Sequence, residues 1–193
     1  MKLKKFIGIL MASVISMSSL SLYALSTEEI TAIKTELGIE NVTSNENEPY
    51  TVIQYNEGTL EDVFVKLGYL NENNPQFPKK VKIEGSKALT LEDLKLLSYW
   101  STYLDLTDAK IENDILPEES FDYSMNLIEI KLPKTLKEIG AGAFIFSVSL
   151  QKIVLPETLT SIKEGAFNFC LSLMEIGFIP FKKKATKDSS QLA

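Results

Sequence analysis

The side chains that could perform acid–base, nucleophilic or metal chemistry are few in this chain of 193 residues. The chain contains no His, and all 20 of its basic residues are Lys, so Arg is absent as well. These absences exclude Ser-His-Asp and Cys-His catalysis, His-containing zinc sites and bidentate recognition of phosphate by Arg. We therefore expect a protein that is not an enzyme and that has no cofactor or catalytic metal.

Two pairs of carboxylates, Glu46/Glu48 and Glu118/Glu119, are close enough in sequence to suggest acid–base or calcium chemistry. Catalytic carboxylates must converge in a cleft that separates their pKa values, and calcium loops follow a set spacing of acidic ligands. Neither pair shows such a pattern. We interpret both pairs as solvated surface residues.

Cys170 is the only cysteine, so the chain cannot form an internal disulfide and its stability must come from packing. It lies between Phe169 and Leu171, which favours a buried, small apolar side chain. A reactive thiol or an intermolecular disulfide is the alternative.

An internal repeat determines the elements that would position any site. Residues 127–149 and 150–172 are identical at 12 of 23 positions. The identical residues are nearly all apolar, Gly or Pro, whereas the positions that differ are mostly polar or charged. A chain that repeats its inward residues and varies its surface residues is typical of stacked structural units.

Apolar pairs separated by one residue recur in step with this repeat. They are Val81/Ile83, Leu104/Leu106, Ile130/Leu132, Ile153/Leu155 and Ile176/Phe178. Such pairs, bounded by turn residues, predict five short strands of one parallel ladder. Pro133 and Pro156 end two of them, because Pro cannot donate a ladder hydrogen bond. The predicted fold class is an α/β solenoid, right-handed, with one parallel strand in each coil of about 23 residues.

The residues before the coils predict a signal peptide, a linker and a cap. Residues 1–24 place three Lys before an apolar run, which is typical of a signal peptide cleaved after Ala24; an uncleaved membrane anchor is the alternative. Residues 25–49 are expected to form a short helix and a polar linker. Residues 50–78 are expected to form a small helical and β cap that closes the N-terminal end of the array.

The coils themselves are expected over residues 79–181, and residues 182–193 are expected to form a basic, flexible tail. No sixth unit follows the fifth strand. Two alternatives remain for this end of the array: either Phe178, Ile179 and Phe181 fold over it, or it is a partner surface.

Side chains that point outward from the stacked strands form two columns. The first column is Lys80, Tyr103, Glu129, Lys152 and Glu175, and the second is Lys82, Asp105, Lys131, Val154 and Gly177. The candidate interaction surface consists of Tyr103, Asp105, Glu129, Lys131, Lys152, Val154 and Glu175. Because neighbouring strands lie ~4.8 Å apart, opposite charges within a column contact each other. We infer that the columns partly neutralise themselves and have a structural role; a specific ligand surface is the alternative.

The repeated pattern L-x-x-I-x-L-P-x-T-L-x-x-I-x-x-G-A-F-x-F-x-x-S resembles the BspA-like (Treponema pallidum type) bacterial leucine-rich repeats. The resemblance covers residues 79–181 and departs from the family pattern at Phe146 and Phe169, where Gly is frequent. It implies a short leucine-rich repeat solenoid. It also implies a protein-binding role at the bacterial surface, with host matrix proteins or other cells as partners.

The leading functional hypothesis is an exported, adhesin-type interaction protein located at the cell surface, in the medium or in the periplasm. Without residues 1–24 the chain has 17 Lys and 26 acidic residues, a net charge of −9. This charge disfavours nucleic acid and anionic membranes, so membrane contact is expected only through the signal segment. The alternative is a periplasmic scaffold, or a truncated repeat array, with no ligand of its own.

Overall fold

The computed structural model describes residues 49–70 and 77–179. The expected signal peptide at 1–24, the expected helix and nearly all of the linker before Pro49, and the expected tail at 182–193 lie outside the described residues. No helix within the described ranges is both long enough and apolar enough to cross a membrane.

Short strands dominate the described elements. In chain order the elements are β1 (Thr51–Gln54), α1 (Leu60–Lys66), β2 (Lys80–Glu84), β3 (Ala88–Leu89), α2 (Leu91–Trp100), β4 (Tyr103–Asp105), β5 (Lys110–Ile111), a 3-10 turn (Glu112–Asp114), β6 (Ile115–Leu116), β7 (Glu129–Lys131), β8 (Glu138–Ile139), β9 (Lys152–Leu155), β10 (Ser161–Ile162) and β11 (Glu175–Phe178). The arrangement of these strands fits a repeat solenoid.

One six-stranded sheet, in the order β1-β2-β4-β7-β9-β11, runs through the whole described array. Every neighbouring pair in this sheet is parallel. The five strands predicted from the apolar pairs are all present, and β1 adds a sixth. A second sheet, in the order β10-β8-β6, and the pair β3-β5 form where the coils turn back.

The inward residues of the main sheet are in register from strand to strand. The aligned series is Val81, Leu104, Ile130, Ile153 and Ile176. The first four of these side chains are 0% exposed, so they form the centre of the core. This register follows from the apolar spacing, because a slip of one residue would move every inward side chain to the outside.

The two α-helices of the described residues begin at side-chain caps. Thr59 accepts a hydrogen bond from the Asp62 N–H at 3.1 Å and starts α1. Thr90 and Asp93 form a capping box that starts α2. The buried Asp93 carboxylate also accepts from the Tyr55 hydroxyl at 3.0 Å and from the Leu60 N–H at 3.2 Å. One carboxylate therefore fixes the starts of both helices relative to the sheet.

Opposite the main sheet, the coils that begin at β4, β7 and β9 each turn through a residue with left-handed backbone. Gly142 and Gly165 have φ angles of 59° and 64°, and Glu119 occupies the same repeat position with a φ of 54°. The aromatic residue two positions later packs inward. The rings of Phe121, Phe144 and Phe167 stack with 5.2 Å between neighbouring centroids.

A second aromatic ladder consists of residues whose own backbone is left-handed. Tyr123, Phe146 and Phe169 have φ angles of 53°, 59° and 60°. Their rings stack with centroids 5.1 Å and 4.4 Å apart. Left-handed backbone is unfavourable for a residue with a Cβ, so the ring stacking offsets a conformational cost in each coil.

Candidate interaction face

The outward residues of the main sheet form the two columns that the sequence predicts. The pairing register joins Lys80, Tyr103, Glu129, Lys152 and Glu175 in one column and Lys82, Asp105, Lys131, Val154 and Gly177 in the other. All seven residues of the candidate interaction surface therefore lie on one side of the sheet, which we term the outer face.

Exposure increases along the outer face from β4 to β11. Tyr103 and Asp105 are each only 8% exposed, whereas the Glu175 side chain is 61% exposed. The residues of intermediate burial are Glu129, Lys131, Lys152 and Val154. The candidate surface is thus buried at β4 and open from β7 onward, so Tyr103 and Asp105 cannot serve as an exposed surface in this conformation.

Neighbouring side chains bury the outer face at β4. The Lys80 Nζ lies 5.9 Å from the Tyr50 ring centroid and 5.3 Å from that of Tyr103, and the Lys131 Nζ lies 5.0 Å from the Tyr50 ring. Lys131 also donates to the Asp105 carboxylate at 3.1 Å. These cation–π and ionic contacts hold Tyr50 and two lysine stems over Tyr103 and Asp105.

Charges along each column neutralise one another. Burial opposes the charge of Lys131, but the Asp105 carboxylate, together with Tyr50 and Glu129, outweighs burial and raises the pKa of this lysine. At the other end of the face, the hydrogen bond from Lys152 to Glu175, at 2.7 Å, raises the pKa of Lys152. Both lysines are therefore positively charged at neutral pH and are matched by a carboxylate on an adjacent strand.

Asp108, which follows β4, connects three coils. Its carboxylate lies 2.7 Å from the Lys134 Nζ and 3.0 Å from the Lys82 Nζ. Hydrogen bonds from these two lysines hold the pKa of Asp108 below its usual value. Lys82 also contacts Glu84 at 2.6 Å.

The last coil leaves its inward residues uncovered, and we term this surface the open end. Ile162, Ile176 and Phe178 are 50%, 57% and 65% exposed. By contrast, Ile139 and Ile153, at the positions one repeat earlier, are both 0% exposed. Of the residues that one alternative folds over this end, Phe178 is exposed and Ile179 is half-buried, and Phe181 lies outside the described residues.

Cys170 is a partly buried hydrogen-bond donor. Its Sγ lies 3.1 Å from the Phe144 carbonyl oxygen, and burial raises the pKa of the thiol to about 12. Ser147, one repeat earlier, donates to the Phe121 carbonyl at 2.7 Å. Cys170 therefore makes the same hydrogen bond to the preceding coil that Ser147 makes one repeat earlier. Its thiol is protonated at neutral pH.

The candidate carboxylate pairs are either exposed or outside the described residues. Glu118 and Glu119 are exposed, as predicted, and Glu46 and Glu48 lie outside the described residues. Within residues 49–70 and 77–179, no three His, Cys, Asp or Glu side chains are grouped so that they could hold a metal ion.

Tyr50 is the outer-face residue that the sequence did not reveal. It directly precedes β1, and Ile53 of β1 pairs with Ile83, which is 30 residues later. The regular step between coils is about 23 residues, so the periodicity did not align β1 with the ladder. The sequence predicts β structure within residues 50–78 but not its place in the main sheet.

Comparison with known protein families identifies the repeat. Residues 114–189 match the family described as the BspA type leucine rich repeat region, in six copies. The match includes β6 to β11 and excludes the strands from β1 to β5. No curated protein matches the chain.

Proposed function

We propose that this chain, whose residues 114–189 are a BspA type leucine-rich repeat region, is an exported adhesin-type protein that binds a protein partner through the outer face. The repeat family is consistent with protein interaction in general. Host extracellular matrix or the surface of another cell is the proposed source of the partner. The protein is proposed to act without enzymatic activity.

The observation behind this proposal is the exposure of the outer face from β7 to β11. All-parallel sheets usually have both faces covered, because their connections pack over them. From β2 to β9 the core side of this sheet is closed, whereas Glu129, Lys152 and Val154 are half-buried and Glu175 is exposed on the other side. A regular face that stays accessible to water is suited to docking another protein.

The exposed part of the outer face favours a partner with mixed charge. Glu129, Lys152 and Glu175 alternate in sign along the first column, beside the uncharged Val154 and Gly177. The lysine is already paired with Glu175, so partner contacts to it must replace or extend an existing ion pair. Such a face confers specificity through charge complementarity more than through apolar burial.

Export, capping and the hand of the coils are part of the proposed function. Residues 1–24 direct export, to the surface, the medium or the periplasm. Residues 50–78 act as the N-terminal cap, supported by the buried Ile53, Leu60 and Phe64 in β1 and α1. The coils run right-handed, because parallel crossover connections take that hand in about 98% of cases.

A binding assay with a charge-reversal variant tests the outer face. The protein, produced from the full sequence in the processed form that the host yields, is titrated onto immobilised matrix proteins. We expect saturable binding that Glu129→Lys weakens at least ~10-fold, because it breaks the alternation of charge. Glu164→Lys makes the same charge change at an exposed residue next to the Gly165 turn, and should change affinity by less than ~2-fold. Absence of saturable binding to every matrix protein would contradict the adhesin proposal.

A periplasmic scaffold without a ligand is the second candidate, favoured by the self-neutralised columns. The pairs Lys131–Asp105 and Lys152–Glu175 stabilise neighbouring coils whether or not a partner is present. Protease treatment of intact cells separates the two functions. Digestion of the protein supports the adhesin, and complete protection, lost when the cells are opened, supports the scaffold.

A further inference from the structure

The open end combines exposed apolar side chains with an unpaired strand edge. Ile176 and Phe178 lie on β11, which is the last strand of the main sheet and pairs only with β9 among the described strands. Their side chains occupy inward repeat positions but are more than half exposed. An unpaired edge of this kind is a template for a further strand.

The hydrogen bonds of β11 determine which residues face the free edge. The Glu175 N–H donates to the Gln151 carbonyl at 3.1 Å, and the Ile179 N–H donates to the Leu155 carbonyl at 3.0 Å, both toward β9. Alternate residues of a strand direct their backbone groups to opposite sides. Ile176 and Phe178 therefore direct their N–H and C=O groups to the free edge, on either side of Gly177.

This pattern makes the edge complementary to itself. When two copies of β11 run antiparallel with their Gly177 residues opposite each other, Ile176 of each copy lies opposite Phe178 of the other. That pair exchanges two backbone hydrogen bonds, and its side chains lie on the core side of both sheets. A single register thus satisfies the free backbone groups and covers the exposed apolar side chains of both copies.

We propose that the chain forms a twofold homodimer through β11, in which two six-stranded sheets join into one sheet of twelve strands. A twofold contact buries the open end of both copies and closes the assembly at two chains. The dimer does not depend on whether the outer face binds a ligand. It doubles the length of the outer face, because the column that ends at Gly177 continues across the dyad.

The choice of a second copy over other occupants rests on sequence and burial. In the sequence that follows β11, Lys182 and Ala185 stand where the preceding coil has Leu159 and Ile162, so this stretch lacks those apolar residues of a coil. At the opposite edge of the sheet, the inward Ile53 of β1 is only 1% exposed. Head-to-tail stacking of β11 on β1 would therefore set an apolar surface against an end that is already closed.

Sedimentation velocity of the processed chain, over a range of concentrations, is the first test. We expect a reversible shift from one chain to two. The double variant Ile176→Lys/Phe178→Lys should weaken the dimer at least ~100-fold, because two apolar side chains lose their burial and like charges face each other. Val52→Lys is the control, since Val52 is 49% exposed on β1 at the other edge, and this variant should dimerise like the parent chain.

A cysteine placed at the dyad tests the register. Cys170→Ser removes the native thiol and restores the residue found one repeat earlier, at Ser147. In that background Gly177→Cys fits, because a Cβ there meets only Val154 atoms at 3.5 Å or more and the Ile153 carbonyl oxygen at 4.0 Å. Oxidised glutathione should then produce a covalent dimer, since opposed residues in a non-hydrogen-bonded pair lie ~4.5 Å apart. Val154→Cys, one strand further from the dyad, should stay uncrosslinked.

Several outcomes would overturn the dimer. A single chain at every concentration would do so, as would species that grow beyond two chains, which indicate head-to-tail stacking. Dissociation by Val52→Lys would assign the contact to β1. If dimers form only after residues 182–193 are deleted, the chain's own tail covers the open end instead.

Discussion

The two ends of the described array differ in how far they bury an inward isoleucine. At the first strand, Ile53 is 1% exposed beside a region in which Tyr55, Leu60 and Asp93 are joined by hydrogen bonds. At the last strand, Ile176 is 57% exposed although it occupies an inward position of the sheet. Both residues are isoleucines in strands of one parallel ladder.

This contrast shows that a coil does not bury its own core. Ile153 is fully buried because β11 lies beside it, and Ile176 is exposed because no described strand follows. Each coil therefore stabilises its predecessor through the apolar area that it covers. The repeat pattern specifies which residues point inward, and the neighbouring coil determines whether they are buried.

The largest expected effect comes from disrupting the closed end at Gly85. A Cβ on this residue would lie 2.1 Å from the Tyr55 carbonyl oxygen, at a φ of 136°. We expect Gly85→Ala to lower the free energy of unfolding by more than ~4 kcal/mol, measured by urea titration. Gly58→Ala is the control, because nothing lies within 4 Å of its Cβ position, and should cost only about 1 kcal/mol. Equal losses in both variants would show that backbone conformation, and not the close contact, decides the effect.

Removing the same ring from a middle coil and from the last full coil compares the two regions directly. Phe144 is 0% exposed between Phe121 and Phe167, whereas Phe167 is half-buried and stacks on Phe144 alone among the described rings. Phe144→Ala should cost about 4 kcal/mol and Phe167→Ala about 2 kcal/mol. Urea unfolding at one low chain concentration measures both. A loss at Phe167 as large as that at Phe144 would mean that the open end is covered in solution.

A smaller effect tests whether ring stacking in the second aromatic ladder offsets the free-energy cost of left-handed backbone. Both the Ala and the Gly variant of Phe146 lose the stacked ring. Because Phe146 has a φ of 59°, only Gly relieves the cost of left-handed backbone. We expect Phe146→Gly to be about 1 kcal/mol more stable than Phe146→Ala. At the adjacent Ile145, which has an ordinary φ, the Ala variant should be the more stable one. The same order at both positions would refute the role of the backbone.

The smallest effect concerns the ionic contacts near the closed half. The two lysines that contact Asp108 hold its pKa below the unfolded value of about 3.9, so this carboxylate stabilises the fold above that pH. The stabilisation is lost as pH falls through the lower, folded-state pKa. Because the carboxylate is partly solvated, Asp108→Asn should reduce the difference in stability between pH 7 and pH 2 by less than ~1 kcal/mol. An unchanged pH profile would show that other carboxylates account for it.

Periodicity was sufficient to predict the strands and the columns. The alignment of Leu104, Ile130 and Ile153 follows from apolar residues at a nearly constant step, because stacking one coil on the next requires that register. Periodicity was insufficient where the step changed. The helix α1 lies between β1 and β2 and lengthens that step, so the sixth strand was not aligned with the others.

Two further features could not be derived from residue pattern. Tyr50 reaches across the outer face to Lys131, and the direction in which a ring leans between strands is not encoded in strand register. The left-handed backbone at Phe146 and Phe169 was likewise unexpected, since phenylalanine has no preference for that conformation. Only the family pattern, in which Gly is frequent at these two positions, indicated left-handed backbone there.

The hydrogen bonds from side chains to the preceding coil have a consequence for folding kinetics. The donors Ser147, Thr158 and Ser172 reach carbonyl groups 26, 24 and 24 residues earlier in the chain. Docking each coil therefore closes a loop of nearly constant length, with nearly the same entropic cost at each step. Folding can begin with any adjacent pair of coils and extend one coil at a time. The rate-limiting step should be formation of the first pair, so adding coils would raise stability without adding a slower long-range event.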